Sequence, residues 1–252
     1  MRILALEFSS SRRSAAVVED GRVLCRAGED LERVAGPLSL MTDALGQAGL
    51  DATAVDCVAV GLGPGSYTGV RVAIALAQGI ELGRGAKLLG VSSADSLVWQ
   101  AWLGGWHGDV AVLIDAQRGE LYAARYQVTQ FGVEPTQSLS ILPRADLERW
   151  VHEGALLLGP DLDGCQLPIR PLHPEAGMVG VLAAGSTNFV PGHALTPIYL
   201  RQVSFARAPA PRVVPPLDRA SAAEDAHGVT SEAPPQTIDH GPRTMGHGPK
   251  EH

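Results

Sequence analysis

Lysine is nearly absent from this chain of 252 residues, since only Lys87 and Lys250 occur and arginine supplies the rest of the positive charge. The formal net charge is −7, which argues against the long basic face of a nucleic-acid-binding protein. Lys87 comes just before a predicted strand and is expected at the surface, so lysine-based catalysis is not indicated.

Cysteines and long apolar runs are scarce as well. Cys25, Cys57 and Cys165 are far apart, odd in number and without a CxxC pair, which excludes a disulfide framework and favours a reducing, cytoplasmic location. No apolar run reaches the length of a membrane span, and the first residues lead into an apolar strand without the features of a signal peptide. We therefore expect no membrane partner.

Spacings typical of metal or nucleophile chemistry are also missing. There is no HxxxH or HExxH, and His107, His152, His173 and His193 are scattered along the sequence, so no metal site is predicted. Gly65-Ser66-Tyr67 lacks the Gly-x-Ser-x-Gly pattern of a nucleophile elbow.

Aromatic residues end at Phe205, and eight of the 18 prolines and four of the eight histidines follow it. A segment this poor in large apolar residues cannot offset its chain entropy by burial. The sequence therefore predicts a disordered tail over 206–252. The irregular spacing of His227, His240, His247 and His252 does not favour a metal site there.

The remaining sequence consists of two similar halves, each with the predicted order β-β-β-α-β-α. Strands are predicted at 2–8, 14–19, 22–27, 55–60 and 88–91, then at 110–114, 121–129, 139–142 and 155–158, with helices at 37–48, 66–82, 92–103, 144–152 and 175–184. This order predicts a duplicated α/β fold with two lobes facing a cleft, an N-terminal lobe over 1–104 and a C-terminal lobe over 105–205.

A glycine-rich turn, GLGPGSYTGVR at 61–71, joins a predicted strand to a long helix. Helix N-terminal N–H groups suit an anion, and glycines also allow tight packing, so both interpretations stay open. The end of the first strand in each half carries an acid, Glu7 and Asp115. With Gly63, Gly65 and Ser66 these acids are candidates for a nucleotide or phosphate cleft with Mg²⁺, and the alternative is that they cap turns.

Two helices combine small and apolar residues. The helix at 66–82 is apolar on almost every side, so something must cover each side, either the core of the chain or another subunit. The residues that would form such a partner surface are Leu38, Met41, Leu45, Val70, Ile74 and Ala77.

Four blocks, LALEFSS at 4–10, GLGPGSYTGVR at 61–71, IDAQRGELY at 114–122 and PIYLR at 197–201, resemble the bacterial TsaB (YeaZ) family. This family is the non-catalytic paralogue in the system that makes threonylcarbamoyladenosine on tRNA. The resemblance covers residues 1–201 and implies an actin-like fold of the ribonuclease-H-like type.

The resemblance further implies that helices of the N-terminal lobe pair with the equivalent helices of the catalytic paralogue TsaD, and that the ATPase TsaE docks on the pair. The chain itself would need no cofactor, ATP and Mg²⁺ would act through the partner subunits, and tRNA would bind only through the complex. The sequence departs from the family pattern at two places. Glu7-Phe8 replaces the usual Asp-Thr, and VAGPLS at 34–39 replaces a His-Ser type of sequence at the start of the first helix.

The function expected from these features is that of an accessory subunit without catalysis of its own. One alternative is an ATP- and Mg-dependent phosphotransferase or hydrolase of the same fold, which would use Glu7, Asp115 and the glycine turn. A second alternative is a metallopeptidase, which the lack of clustered metal ligands disfavours. Pairing of two copies through the same apolar helices is a further alternative.

Overall fold

Two five-stranded sheets form the framework of the computed structural model, which describes residues 1–29 and 36–200. The first sheet contains β1 (Arg2–Glu7), β2 (Ser14–Glu19), β3 (Arg22–Gly28), β4 (Cys57–Gly61) and β5 (Lys87–Val91). The second contains β6 (Gly108–Asp115), β7 (Glu120–Thr129), β8 (Gly132–Pro143), β9 (Leu156–Gly159) and β10 (Arg170–Pro171). The helices are α1 (Pro37–Gln47), α2 (Tyr67–Arg84), α3 (Ser93–Leu103), α4 (Arg144–His152) and α5 (Ala176–Ala184). The predicted tail at 206–252 lies outside the described residues.

The two sheets have the same strand order. The first runs β3-β2-β1-β4-β5 and the second β8-β7-β6-β9-β10. In both, three antiparallel strands are followed by two parallel ones. This repetition confirms the predicted duplicated α/β architecture of the actin-like type. The copies differ at one point, because residues 160–169 contain no helix where the first copy has α2.

Alternation along the strands separates the two faces of each sheet. One face of the first sheet packs on α1 and α2 through Leu4, Leu6 and Val58. The other face packs on α5 through Ile3 and Ala5, which alternate with Leu4 and Leu6 along β1. The second sheet packs on α3 with one face and on α4 with the other. Because α3 and α5 also contact each other, the order of layers is α1 and α2, first sheet, α5 and α3, second sheet, α4.

Each half therefore contributes its last helix to the other half. α3 comes from the first half and covers the second sheet, while α5 comes from the second half and covers the first. The predicted division at residues 104 and 105 lies between α3 and β6. It therefore assigns α3 and α5 each to the half whose sheet the helix does not cover.

The turn and helix signals of the sequence correspond to local structure. Asp20 and Gly21 adopt φ of 49° and 77° in the hairpin between β2 and β3, as this dipeptide favours. Pro37 begins α1, where its missing N–H has no partner to lose. β8 is longer than predicted because it continues the hairpin from β7 over its whole length. Within the described residues, no helix combines the length and hydropathy that a membrane span requires.

Candidate functional site

A cleft lies between the lobes at the carboxyl ends of β1, β4, β6 and β9, where open α/β sheets bind ligands. Its volume is about 690 Å³. The first lobe lines it with Ser9, Ser10, Ser11, Gly65, Ser66, Tyr67 and Arg71, and the second with Ile114, Asp115, Ala116, Gln117, Tyr122, Pro160 and Asp161. Tyr199, near the end of the described residues, lines the cleft on the side of the first lobe, where it stacks on Tyr67.

Three of the five residues predicted for a nucleotide or phosphate cleft line this cavity, namely Gly65, Ser66 and Asp115. The other two, Glu7 and Gly63, are buried behind it in the first lobe. The structure therefore does not bring the two acids, Glu7 and Asp115, to one surface.

The carboxyl group of Glu7 is fully buried at the end of β1. It accepts hydrogen bonds from the Ser9 N–H at 2.7 Å and from the Ser93 hydroxyl at 2.7 Å. Burial raises the pKa of Glu7, and the hydrogen bonds from Ser9 and Ser93 oppose this effect. A Cβ on Gly61 would lie 2.0 Å from Glu7 Oε2, so the first glycine of the motif makes room for this carboxyl group.

The glycine turn packs tightly against the loop that follows β1. A Cβ on Gly69 would lie 1.9 Å from the Phe8 carbonyl oxygen. The Ser66 N–H donates to the Ser9 carbonyl at 2.7 Å, and Gly63 N–H donates to Ser93 Oγ at 3.1 Å. These contacts are those expected from tight packing, because the N–H groups of Ser66 and Gly63 have partners within the chain.

Carboxylates of the chain itself occupy the backbone donors at the cleft mouth. Asp115 accepts from the Gln117 N–H at 2.9 Å, which is the turn-capping contact weighed against ligand binding. Asp161, after β9, accepts from the Ser11 N–H at 2.8 Å and also from the Ser11 hydroxyl. An incoming oxyanion would have to displace these groups, since each N–H group can donate fully to only one acceptor.

The contact of Asp161 with Ser11 links the second lobe to the first. His173 lies beside this link, with Nδ1 at 3.4 Å from Ser10 Oγ and 3.8 Å from Asp161 Oδ1. Desolvation is the largest influence and lowers the pKa of His173, while Asp161 raises it. Sequence reasoning missed this group because Ser11 lies 150 residues from Asp161 and Ser10 lies 163 residues from His173, and the four residues belong to no spaced motif.

An aromatic wall lines the first-lobe side of the cleft. The rings of Tyr67 and Tyr199 stack with centroids 5.5 Å apart. The Arg71 guanidinium lies 3.8 Å from the Tyr67 centroid, and its Nε donates to Tyr199 Oη at 3.1 Å. Tyr67 and Arg71 belong to the glycine block, and Tyr199 belongs to the PIYLR block. The occurrence of both blocks in one chain was the sequence signal that could have indicated this contact.

The residues predicted for a partner surface are mostly core residues. Five of the six, namely Met41, Leu45, Val70, Ile74 and Ala77, are buried between α1, α2 and the first sheet. Leu38 is exposed over 59% of its surface. The outer side of α2 is formed instead by Thr68, Ala75, Gly79 and Leu82, which are exposed along one stripe. The structure thus places five of the six predicted residues in the core, because a helix that is apolar on almost every side does not show by its pattern which side faces the core.

Among the residues that the structure describes, no three His, Cys, Asp or Glu side chains are grouped so that they could hold a metal ion.

Comparisons with known proteins agree with this architecture. A family model described as TsaD, tRNA N6-adenosine threonylcarbamoyltransferase, matches residues 37–137. The tRNA threonylcarbamoyladenosine biosynthesis protein TsaB of Escherichia coli K12 is 37% identical over 138 residues, which are 53% of this chain and 58% of that protein. The match thus spans little more than half the length of this curated relative.

Two solved structures from Pseudomonas aeruginosa are similar over most of the chain. One, an uncharacterised protein with similarity to peptidase YeaZ, is 31% identical with a TM-score of 0.66, and the match covers 79% of this chain and 99% of that one. The other, YeaZ, is 29% identical with a TM-score of 0.64 over the same shares.

The fold and cleft thus define a two-lobed α/β protein of the actin-like class. Within this class, the chain belongs to the TsaB (YeaZ) family.

Proposed function

We propose that the chain is an accessory subunit that binds and activates the catalytic paralogue TsaD in the formation of threonylcarbamoyladenosine near the anticodon of tRNA. Its family supports this role, since curated relatives are named tRNA threonylcarbamoyladenosine biosynthesis proteins. The observation that supports the non-catalytic part of the proposal is that Asp115 and Asp161 accept from the Gln117 and Ser11 N–H groups at the cleft mouth, while Glu7 is buried behind the cleft. The ATPase TsaE and the tRNA would then act through the assembled complex, and ATP and Mg²⁺ through the partner subunits.

The surface proposed for pairing is the outer side of α1 and α2. Leu38 and Leu82 are exposed over 59% and 87% of their surfaces, and Ala75 and Gly79 lie exposed on the same side of α2 as Leu82. A Cβ on Gly79 would meet no atom within 4 Å, so a second helix can approach α2 closely there. Exposed apolar residues on adjacent helices favour helix-on-helix pairing, either with TsaD or with a second copy of this chain.

The test uses the full chain, TsaD from the same organism and light scattering coupled to size-exclusion chromatography. We expect a one-to-one or two-by-two complex at about 20 µM of each protein. Ala75→Arg and Leu82→Arg place a charge in the proposed interface and are expected to abolish the complex. Leu103→Arg on α3, where Leu103 is 64% exposed, is the matched control and should pair normally.

Two outcomes would count against the proposal. Separate species from the unmodified proteins would overturn pairing with TsaD. Complexes that survive Ala75→Arg and Leu82→Arg would show that TsaD binds elsewhere.

The alternative of an ATP- and Mg-dependent phosphotransferase or hydrolase remains a hypothesis that calorimetry can test. Saturable micromolar binding of Mg-ATP by the isolated chain would favour it over the accessory role. We expect no such binding, because the backbone donors at the cleft mouth already have carboxylate partners.

A further inference from the structure

The mouth of the cleft is joined by a contact between the lobes. Asp161 follows β9 of the second sheet, and Ser11 lies in the loop between β1 and β2 of the first. The Asp161 carboxylate accepts from both donors of Ser11, its N–H at 2.8 Å and its hydroxyl. A two-oxygen group held by an N–H and a hydroxyl is the arrangement in which a loop binds a carboxylate or a phosphate.

The backbone of Asp161 has an uncommon conformation. Its φ is 52°, a left-handed conformation that few residues other than glycine adopt, although Asp tolerates it better than most. Pro160 precedes it and lines the cleft with it. The loop therefore presents the carboxylate to Ser11 in a conformation uncommon for a side-chain-bearing residue.

The two halves are also joined away from the cleft lining. There α3 and α5 lie between the sheets and contact each other. The lobes are thus joined by the contact of α3 with α5 and, at the cleft mouth, by the Asp161 contact, where Asp161 and Ser11 are both exposed.

We propose that Asp161 is an internal ligand of this cleft: its carboxylate occupies an oxyanion position formed by Ser11, holds the lobes together there and keeps small oxyanions out. The proposal concerns the cleft alone and does not depend on pairing with TsaD. It assigns to the cleft a latent site for a phosphate-sized oxyanion, which becomes accessible only when the carboxylate is removed or displaced.

Two substitutions test this in the full chain. Asp161→Gly removes the carboxylate and keeps the backbone conformation, because a φ of 52° is unstrained for glycine. Asp161→Asn keeps the shape and removes the charge. The control is Asp163→Asn, since Asp163 lies two residues away and is exposed.

The measurement is amide hydrogen exchange at residues 9–13, with and without inorganic phosphate at about 10 mM. In the unmodified chain and in Asp163→Asn, exchange at Ser11 should be slow and unaffected by phosphate. In Asp161→Gly it should be about tenfold faster, and phosphate should slow it again. Asp161→Asn should lie between the two, because its amide oxygen still accepts one hydrogen bond.

Unchanged exchange of β7 amides in each variant shows that the fold is intact. The proposal is overturned if Ser11 exchanges equally in the unmodified chain and both Asp161 variants. It is also overturned if phosphate protects the unmodified chain as well as Asp161→Gly, or fails to protect Asp161→Gly at all.

Discussion

At the scale of single residues, the buried Glu7 departs most from the expectation for its type. A carboxyl group with no exposed surface is costly to ionise unless it is paired with a cation. Its partners here are the Ser9 N–H and the Ser93 hydroxyl, both neutral donors. Burial therefore raises the pKa of Glu7 despite the hydrogen bonds from Ser9 and Ser93 that favour the carboxylate.

This raised pKa predicts how Glu7→Gln alters stability. Because the folded-state pKa of Glu7 exceeds its unfolded value, its stabilising contribution is complete below the ordinary pKa near 4.5 and is lost as the pH rises through the folded value. Glutamine does not titrate and can keep hydrogen bonds with both Ser9 and Ser93. We expect the stability of the variant relative to the unmodified chain to increase as the pH rises above about 4.5 and to level off above the folded-state pKa of Glu7.

Urea denaturation of both proteins at a series of pH values measures this difference. Glu148→Gln on α4, where Glu148 is exposed, serves as the control and should show no such trend. A stability difference that stays constant with pH, or that favours the unmodified chain as the pH rises, would contradict the assignment.

At the scale of elements, much of the fold could be predicted from the sequence. The hairpin at Asp20-Gly21, the Pro37 helix start and most strands depend on neighbours close in sequence, and they lie within about two residues of the predicted positions. The exceptions are β8, which begins at Gly132 instead of 139, and the short β10, which was not predicted. The features that could not be predicted depend on contacts between residues far apart in the sequence. Which side of α2 is buried is decided by β4 and α1, and the burial of Glu7 depends on Ser93, 86 residues away.

The cleft illustrates the same limit. Gly65, Ser66 and Asp115 could be placed there because each follows a strand, and strand ends meet at one edge of a sheet. Asp161, Tyr199 and Arg71 could not, since no local pattern indicates which residues of a loop or helix face the opposite lobe.

The reassignment of α2 predicts opposite effects for two neighbouring substitutions. Ile74 is buried against the first sheet, while Ala75 is exposed. Ile74→Asp should cost about 3 kcal/mol or more, because it buries an unpaired carboxylate and leaves a gap. Ala75→Asp should stay within about 1 kcal/mol, the cost of a poorer helix former at the surface. Urea denaturation compares them, and equal losses would show that the burial assigned to this helix is wrong.

At the scale of the whole molecule, the exchange of α3 and α5 between the halves determines how the chain folds. The inner face of the first sheet, with Ile3, Ala5 and Val18, is covered by α5, which comes more than 80 residues after β5. The second sheet depends in the same way on α3. Neither half can therefore complete its core from its own residues, although each has the strand order of a full lobe.

This dependence predicts the behaviour of fragments cut at the predicted lobe boundary. A fragment of residues 1–104 exposes the apolar face that α5 covers, and it carries α3 without the sheet on which α3 packs. We expect it to aggregate or to remain molten, with weak near-ultraviolet circular dichroism and poorly dispersed amide resonances. A chain of residues 1–207, which keeps both crossing helices, should retain a single cooperative unfolding transition.

Adding the fragment 105–205 should rescue the first, because it supplies α5 and receives α3. Mixing the two should restore dispersed resonances at a one-to-one ratio. A well-dispersed spectrum from 1–104 alone would show that the first sheet is stable without α5, and would favour two autonomous lobes. Restored order only when both fragments are present would instead establish that the exchange of α3 and α5 makes the duplicated halves one folding unit.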